Sequence, residues 1–217
     1  MLKDNPKTIY LNDYTVPDYL IDSVDLNFTL DEQQTRVVSR LTLNRNPHST
    51  TPGAELVLNG ENLTLVRIIL NEDQELSPQE YELTPETLII HEVPQHRPFT
   101  LTIENDINPK ANTALEGLYL SKAMLCTQCE AEGFRRITYF PDRPDVLSRY
   151  RVRMEGPKAA FPILLSNGDL MASGDIDNGR HYAEWRDPWP KPSYLFALVA
   201  GDLVANRDQF TTMNGRN

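Results

Sequence analysis

Cysteine and histidine are scarce in this sequence, two and four residues among 217. A structural zinc site of the Cys-x-x-Cys kind needs a second ligand pair, and no second pair exists. Long apolar runs are also missing, since no segment approaches the roughly 18 consecutive apolar residues needed to span a bilayer. The opening "MLKDNPKTIYLNDYTVP" is polar and lacks an apolar h-region, so it is not expected to act as a secretory signal. Without an export signal, both cysteines are expected to stay reduced thiols. Positive charge is in deficit: 21 Lys and Arg stand against 31 Asp and Glu, a formal charge of −10. Such a chain repels a phosphate backbone, which argues against nucleic acid as a partner. A G-x-S-x-G elbow, a P-loop and a dinucleotide fingerprint are absent. Within these bounds the chain is expected to be soluble, acidic and cytoplasmic, with enough hydrophobic residues (40%) for one large domain or two small ones.

Period-two alternation dominates the first half. In "VDLNFTL" Val24, Leu26, Phe28 and Leu30 share one face, and in "TRVVSRLTLNR" Val37, Leu41 and Leu43 do the same with Ser39 between them. With the polar turn "DEQQ" between them, these runs predict an antiparallel hairpin. "AELVLNG", "LTLVRIIL", "QEYELT", "TLIIHEV" and "FTLTIEND" read as further strands, each bounded by turn residues. Between Asn105 and Arg149 the pattern breaks. "INPKANTALEGLYLSKAM" shows no sustained period, and "FPDRPDVLSRY" offers at most one helical turn after Pro144. A long irregular stretch inside a compact domain is often functional. Strands resume with "RYRVRMEG", "FPILLSNG", "DLMASGDI", "RHYAEWRD" and "YLFALVAGD". The predicted class is all-β, an antiparallel sheet or sandwich with one dry face. The chain stops at "TTMNGRN" without a tapering tail, and is expected to continue in a longer protein.

Three motifs invite chemistry. Cys126 and Cys129 have redox or zinc spacing, but no βαβ unit accompanies them, so they read as packing thiols. His91 and His96 in "HEVPQH" are five apart, about 140° around a helix, and Pro94 would break that helix, so they do not form a zinc peptidase pair. Trp185 and Trp189 in "WRDPWPKPSYLF" could form a ligand platform, although Trp beside Pro usually packs at a strand end. What remains is Gln128, Glu130 and Glu132 inside the irregular stretch. A carboxylate and an amide presented together suit recognition of a primary ammonium.

"TQCEAEGFRR", preceded by "NTALEGLY" and followed by "YFPDRPDVLSRY", resembles the N-terminal region of the zinc aminopeptidases of the aminopeptidase N (alanyl aminopeptidase) type, in particular their bacterial branch. "YLNDYTVPDYLIDSVDLNFTL", the "LLSNGDLMASG" hairpin and "NGRHYAEWRDPWPKPSYLFALVAGD" match in the same order, so the resemblance covers essentially the whole chain. It implies an N-terminal domain built on a curved β-sheet, residues 1–200, that leans over a thermolysin-like catalytic domain beginning at about residue 201. It implies that Glu130 accepts the free α-ammonium of a peptide substrate and that Gln128 lines the pocket for the first residue. Arg135 and Arg136 would be ion-paired supports of the loop, and Glu132 structural. The family's His-Glu-x-x-His, its Gly-x-Met-Glu-Asn segment and its downstream tyrosine are absent from these residues. The resemblance therefore places zinc, its ligands and all catalytic groups of the parent outside this chain, leaving a fragment inactive alone and prone to self-association. The rival readings are a stand-alone β-sandwich binding module using Trp185 and Trp189, and a thiol or zinc module using Cys126 and Cys129.

Overall fold

The computed structural model describes residue 8 and residues 10–216. Residues 1–7 and 9, on which the reading of the opening partly rests, lie outside the described residues. Chain order gives β1 (Tyr19–Thr29), β2 (Thr35–Arg45), β3 (Leu56–Asn59), β4 (Thr64–Leu70), β5 (Gln74–Glu75), β6 (Tyr81–Leu83), β7 (Thr87–Ile90) and β8 (Phe99–Ile107). There follow β9 (Gly117–Ser121), β10 (Met124–Gln128), β11 (Ser148–Pro157), β12 (Ile163–Ser166), β13 (Asp169–Ile176), β14 (Arg180–Lys191) and β15 (Leu198–Gly201). They form an eight-stranded sheet β13-β14-β11-β1-β2-β8-β4-β5, a four-stranded sheet β12-β15-β10-β9 and a three-stranded sheet β3-β7-β6. The all-β expectation holds. No described helix is long and apolar enough to cross a membrane.

The predicted first hairpin is present, with Leu26 opposite Ser39 and Phe28 opposite Val37. A bulge at Asp22 shifts the frame, so Tyr19 and Ile21 before it and Val24, Leu26 and Phe28 after it all point inward. The opposite face of the large sheet carries charge in cross-strand rows. Arg36 pairs with Glu104 and Asp106, and Arg153 with Glu184 at 2.7 Å. Such rows keep a wet face soluble and contribute little to stability.

The structure adds one parallel pairing to the expected antiparallel sheet and corrects two expectations. The pairing is not wholly antiparallel, because β1 runs parallel to β11, with Val24 opposite Tyr150. Parallel neighbours need a long connection, and the intervening chain supplies nine strands, including the whole three-stranded sheet. The "LLSNGDLMASG" run is not a hairpin: β12 pairs with β15, and β13 pairs with β14. Asn167 and Gly168 instead hand the chain from one sheet to another. Gly168 has φ +86°, and a Cβ there would lie 2.2 Å from the Arg186 carbonyl oxygen. Finally, the supposedly irregular stretch contains the β9–β10 hairpin, with Leu125 opposite Leu120. Its alternation is invisible because both faces are apolar. Leu118 and Leu125 are buried inside, while Tyr119 and Cys126 lie in a row with Val199 and Leu165 outside.

Candidate functional site

At the end of β10, alternation turns Cys129 inward (2% exposed) and leaves Gln128 and Glu130 outside. The Gln128 side-chain N–H donates to the Glu130 carbonyl oxygen at 3.3 Å. Among the described residues, nothing hydrogen-bonds or ion-pairs with the Glu130 carboxylate. Glu132 differs, since it meets Arg135 at 3.3 Å.

The turn that carries Glu130 closes tightly on the hairpin. The Gly133 N–H donates to the Cys129 carbonyl at 2.8 Å. A Cβ on Gly133 would lie 2.3 Å from the Gln128 carbonyl oxygen and 3.0 Å from the Gly117 nitrogen, so the close approach requires glycine. Phe134 then plugs the core beneath. Its ring centroid lies 5.0 Å from that of Phe140 and 5.3 Å from that of Phe196, both edge-on, and 6.1 Å from that of Tyr150.

Next come the two arginines, and the expected ion pairing is present. Arg135 donates from its backbone N–H and from Nε to Asp142 Oδ2, at 3.1 and 3.2 Å. Asp142 is buried and also accepts the Ser193 hydroxyl at 2.5 Å. Arg136 donates from Nη2 to Glu61 at 2.6 Å and from Nε to Glu116 at 3.1 Å. The sequence announced the need for counterions but not their identity. Glu61, Glu116, Asp142 and Ser193 lie in four separate segments, with no spacing that links them to the arginines.

The other candidates disperse. Cys126 lies on the outward row of the four-stranded sheet, while burial, helped by the Asp142 carboxylate, pushes the Cys129 thiol well above its ordinary range. A thiol reagent at pH 8 is therefore expected to modify Cys126 and spare Cys129 until the protein is denatured, as read by mass after partial labelling. Equal reaction of both in the native state would contradict this burial. His91 forms an exposed contact with Glu55 at 2.7 Å. Among the described residues no group of three or more His, Cys, Asp or Glu is placed to hold a metal, so these residues do not fit a zinc centre. Trp185 packs half-buried, its indole N–H donating to the Leu164 carbonyl at 3.2 Å, whereas Trp189 stands 77% exposed. The two indoles do not share an environment suited to one platform.

Comparison with known proteins agrees with this architecture. The family model described as the peptidase M1 N-terminal domain matches residues 17–195. The aminopeptidase N of Caulobacter vibrioides is 52% identical over 216 residues, which is 100% of this chain and 24% of that protein. The aminopeptidase N of Escherichia coli K12 is 49% identical over 215 residues, 99% of this chain and 24% of that protein. Among solved structures, aminopeptidase A of Legionella pneumophila in complex with aspartic acid superposes with a TM-score of 0.90 at 41% identity, covering 95% of this chain and 24% of that one. An M1 zinc metallopeptidase of Deinococcus radiodurans, at 17% identity, shares the fold with a TM-score of 0.72 over 85% of this chain and 42% of that one. The chain belongs to the peptidase M1 N-terminal domain family. It spans about a quarter of the length of the curated aminopeptidases it matches.

Proposed function

We propose that this chain is the N-terminal β domain of a longer cytoplasmic zinc aminopeptidase and that it supplies the contacts to the substrate's free terminus. The observation that carries the reading is the Glu130 carboxylate, exposed and unpaired beside Gln128, on a turn locked by Gly133, Phe134 and two ion-paired arginines. An ionised carboxylate held rigidly and left without a protein partner can accept an ammonium from a ligand. Each charge-assisted hydrogen bond of this kind contributes about 1.5–3 kcal/mol. Gln128 would border the pocket for the first side chain. Fixing the terminus in this way sets the distance from it to the bond that is cut, which restricts the parent to one residue at a time.

The catalytic groups and the zinc ligands belong, in this reading, to the polypeptide beyond residue 201, so the 217 residues alone have no activity. β15 ends at Gly201, and residues 202–216 form no strand or helix, which supports a boundary there. The outward row Leu165–Val199–Cys126–Tyr119 ends next to Gln128 and would meet the catalytic domain. Ile163 and Leu165 on that face are about 39 and 40% exposed. Isolated, this face should associate with itself, and light scattering is expected to show a mass that rises with concentration. A strictly monomeric chain at high concentration would count against it.

The test of the function is discrimination by the full-length protein between alanyl-p-nitroanilide and its N-acetyl derivative. Hydrolysis of the free amine alone supports terminus recognition, and equal hydrolysis of both removes it.

A further inference from the structure

Glu61 is more than a counterion of Arg136, because it is the point where a distant part of the fold grips the turn that carries Glu130. It lies between β3 and β4, 75 residues before Arg136 in sequence. One oxygen meets Arg136 Nη2 at 2.6 Å, and the other lies 3.9 Å from Arg135 Nη1. Its own N–H donates to the Arg135 carbonyl at 3.0 Å. The side chain is 18% exposed, and those of the two arginines 14% and 13%, so these contacts are largely shielded from water.

We propose that Glu61 is a positioning residue for substrate: its carboxylate, acting through Arg136 and Arg135, sets where the Gln128–Glu130 turn stands. The inference rests on the function proposed for Glu130. Its physical basis is that Arg136 is held from two sides. Glu116 binds Nε and belongs to the same hairpin as Gln128, whereas Glu61 binds Nη2 and belongs to the β3–β4 turn. Gly117 lets this happen, because a Cβ there would lie 2.6 Å from the Cβ of Arg136. Arg136 therefore lies directly against the residue paired with Gln128. Without the Glu61 carboxylate, one half of the guanidinium loses its anchor, and the Arg136 side chain is held by Glu116 alone.

The main-chain attachment of Glu61 does not depend on its side chain. Asn59 and Phe140 exchange hydrogen bonds at 2.8 and 3.0 Å, and the Asp142 N–H donates to Asn59 Oδ1 at 3.1 Å. A Cβ on Gly60 would lie 2.3 Å from the Tyr139 ring, so the turn is seated against the same segment. The shape-preserving change Glu61→Gln thus removes the charge while these contacts remain.

The experiment uses the full-length enzyme with alanyl-p-nitroanilide as probe and compares wild type, Glu61→Gln, Glu61→Asp, Glu130→Ala and the Glu61→Gln/Glu130→Ala double variant. Glu61→Gln is expected to lower kcat/KM about tenfold, mainly through KM, with the thermal midpoint close to wild type and partial recovery in Glu61→Asp. Acting through Glu130, it should add little in the Glu130→Ala background. A full tenfold loss in that background, or wild-type kinetics for Glu61→Gln while Glu130→Ala is impaired, overturns the positioning role and leaves the function intact. Unchanged kinetics for Glu130→Ala overturn the function itself. Failure of both Glu61 single variants to fold would assign the residue to stability and also overturn the proposal.

Discussion

Glu130→Ala in the full-length enzyme is expected to lower kcat/KM for substrates with a free amine by about 10- to 100-fold, the value of one charge-assisted hydrogen bond. The carboxylate has no described protein partner, so its removal leaves no orphaned charge in the fold. The loss should therefore appear in kinetics and not in melting. Glu132→Ala is the internal control. Glu132 is two residues away and also exposed, but it is engaged with Arg135 at 3.3 Å with its side chain 63% exposed, so kinetics near wild type are expected. Equal losses from the two variants would mean that general negative charge, and not a placed acceptor, draws the substrate in. Wild-type rates for Glu130→Ala would remove its assigned role.

Phe134→Ala is expected to have the largest effect on stability, about 3–5 kcal/mol in urea denaturation of the 217-residue chain. Phe134 is fully buried and is the ring that Phe140, Tyr150 and Phe196 all contact edge-on or nearly so. Those partners come from the site turn's own return, from β11 and from the approach to β15. Truncation would leave a cavity where three segments meet, directly beneath Glu130. Trp189→Ala should change the unfolding free energy by no more than about 0.5 kcal/mol, since that side chain is 77% exposed. A Phe134→Ala cost as small as that of Trp189→Ala would show that the cluster does not organise this region.

Legibility followed burial pattern. β1, β2, β8 and β11 have one dry and one wet face, so Phe28, Val37 and Met154 are marked by alternation, and these strands are evident from sequence. β9 and β10 have apolar residues on both faces, and the same rule returns no period. Partnership was less legible than strand identity. The Asn-Gly pair after β12 is a hairpin signal in general, yet Asn167 here spends its side chain on the Leu195 carbonyl and the Ala197 N–H, tying the link to the approach to β15. For the site, the chemistry of a free carboxylate beside an amide was legible from residue type, and its meaning came from resemblance. The supports were not legible, because Glu61 and Asp142 reach the arginines only through the fold.

The parallel pairing of β1 has a consequence for biosynthesis. Residues 19–107 supply β1, β2, β8, β4 and β5, which can assemble as soon as they leave the ribosome. β11 begins only at Ser148. At about 5–20 residues per second, β1 waits on the order of ten seconds with its second edge open. During that interval the nascent sheet ends in a long strand bearing unpaired backbone groups, the condition under which strands pair with the wrong neighbour. The exposed edge of β1 is therefore expected to persist until after the turn that carries Glu130 has been made, before that turn has a floor to stand on.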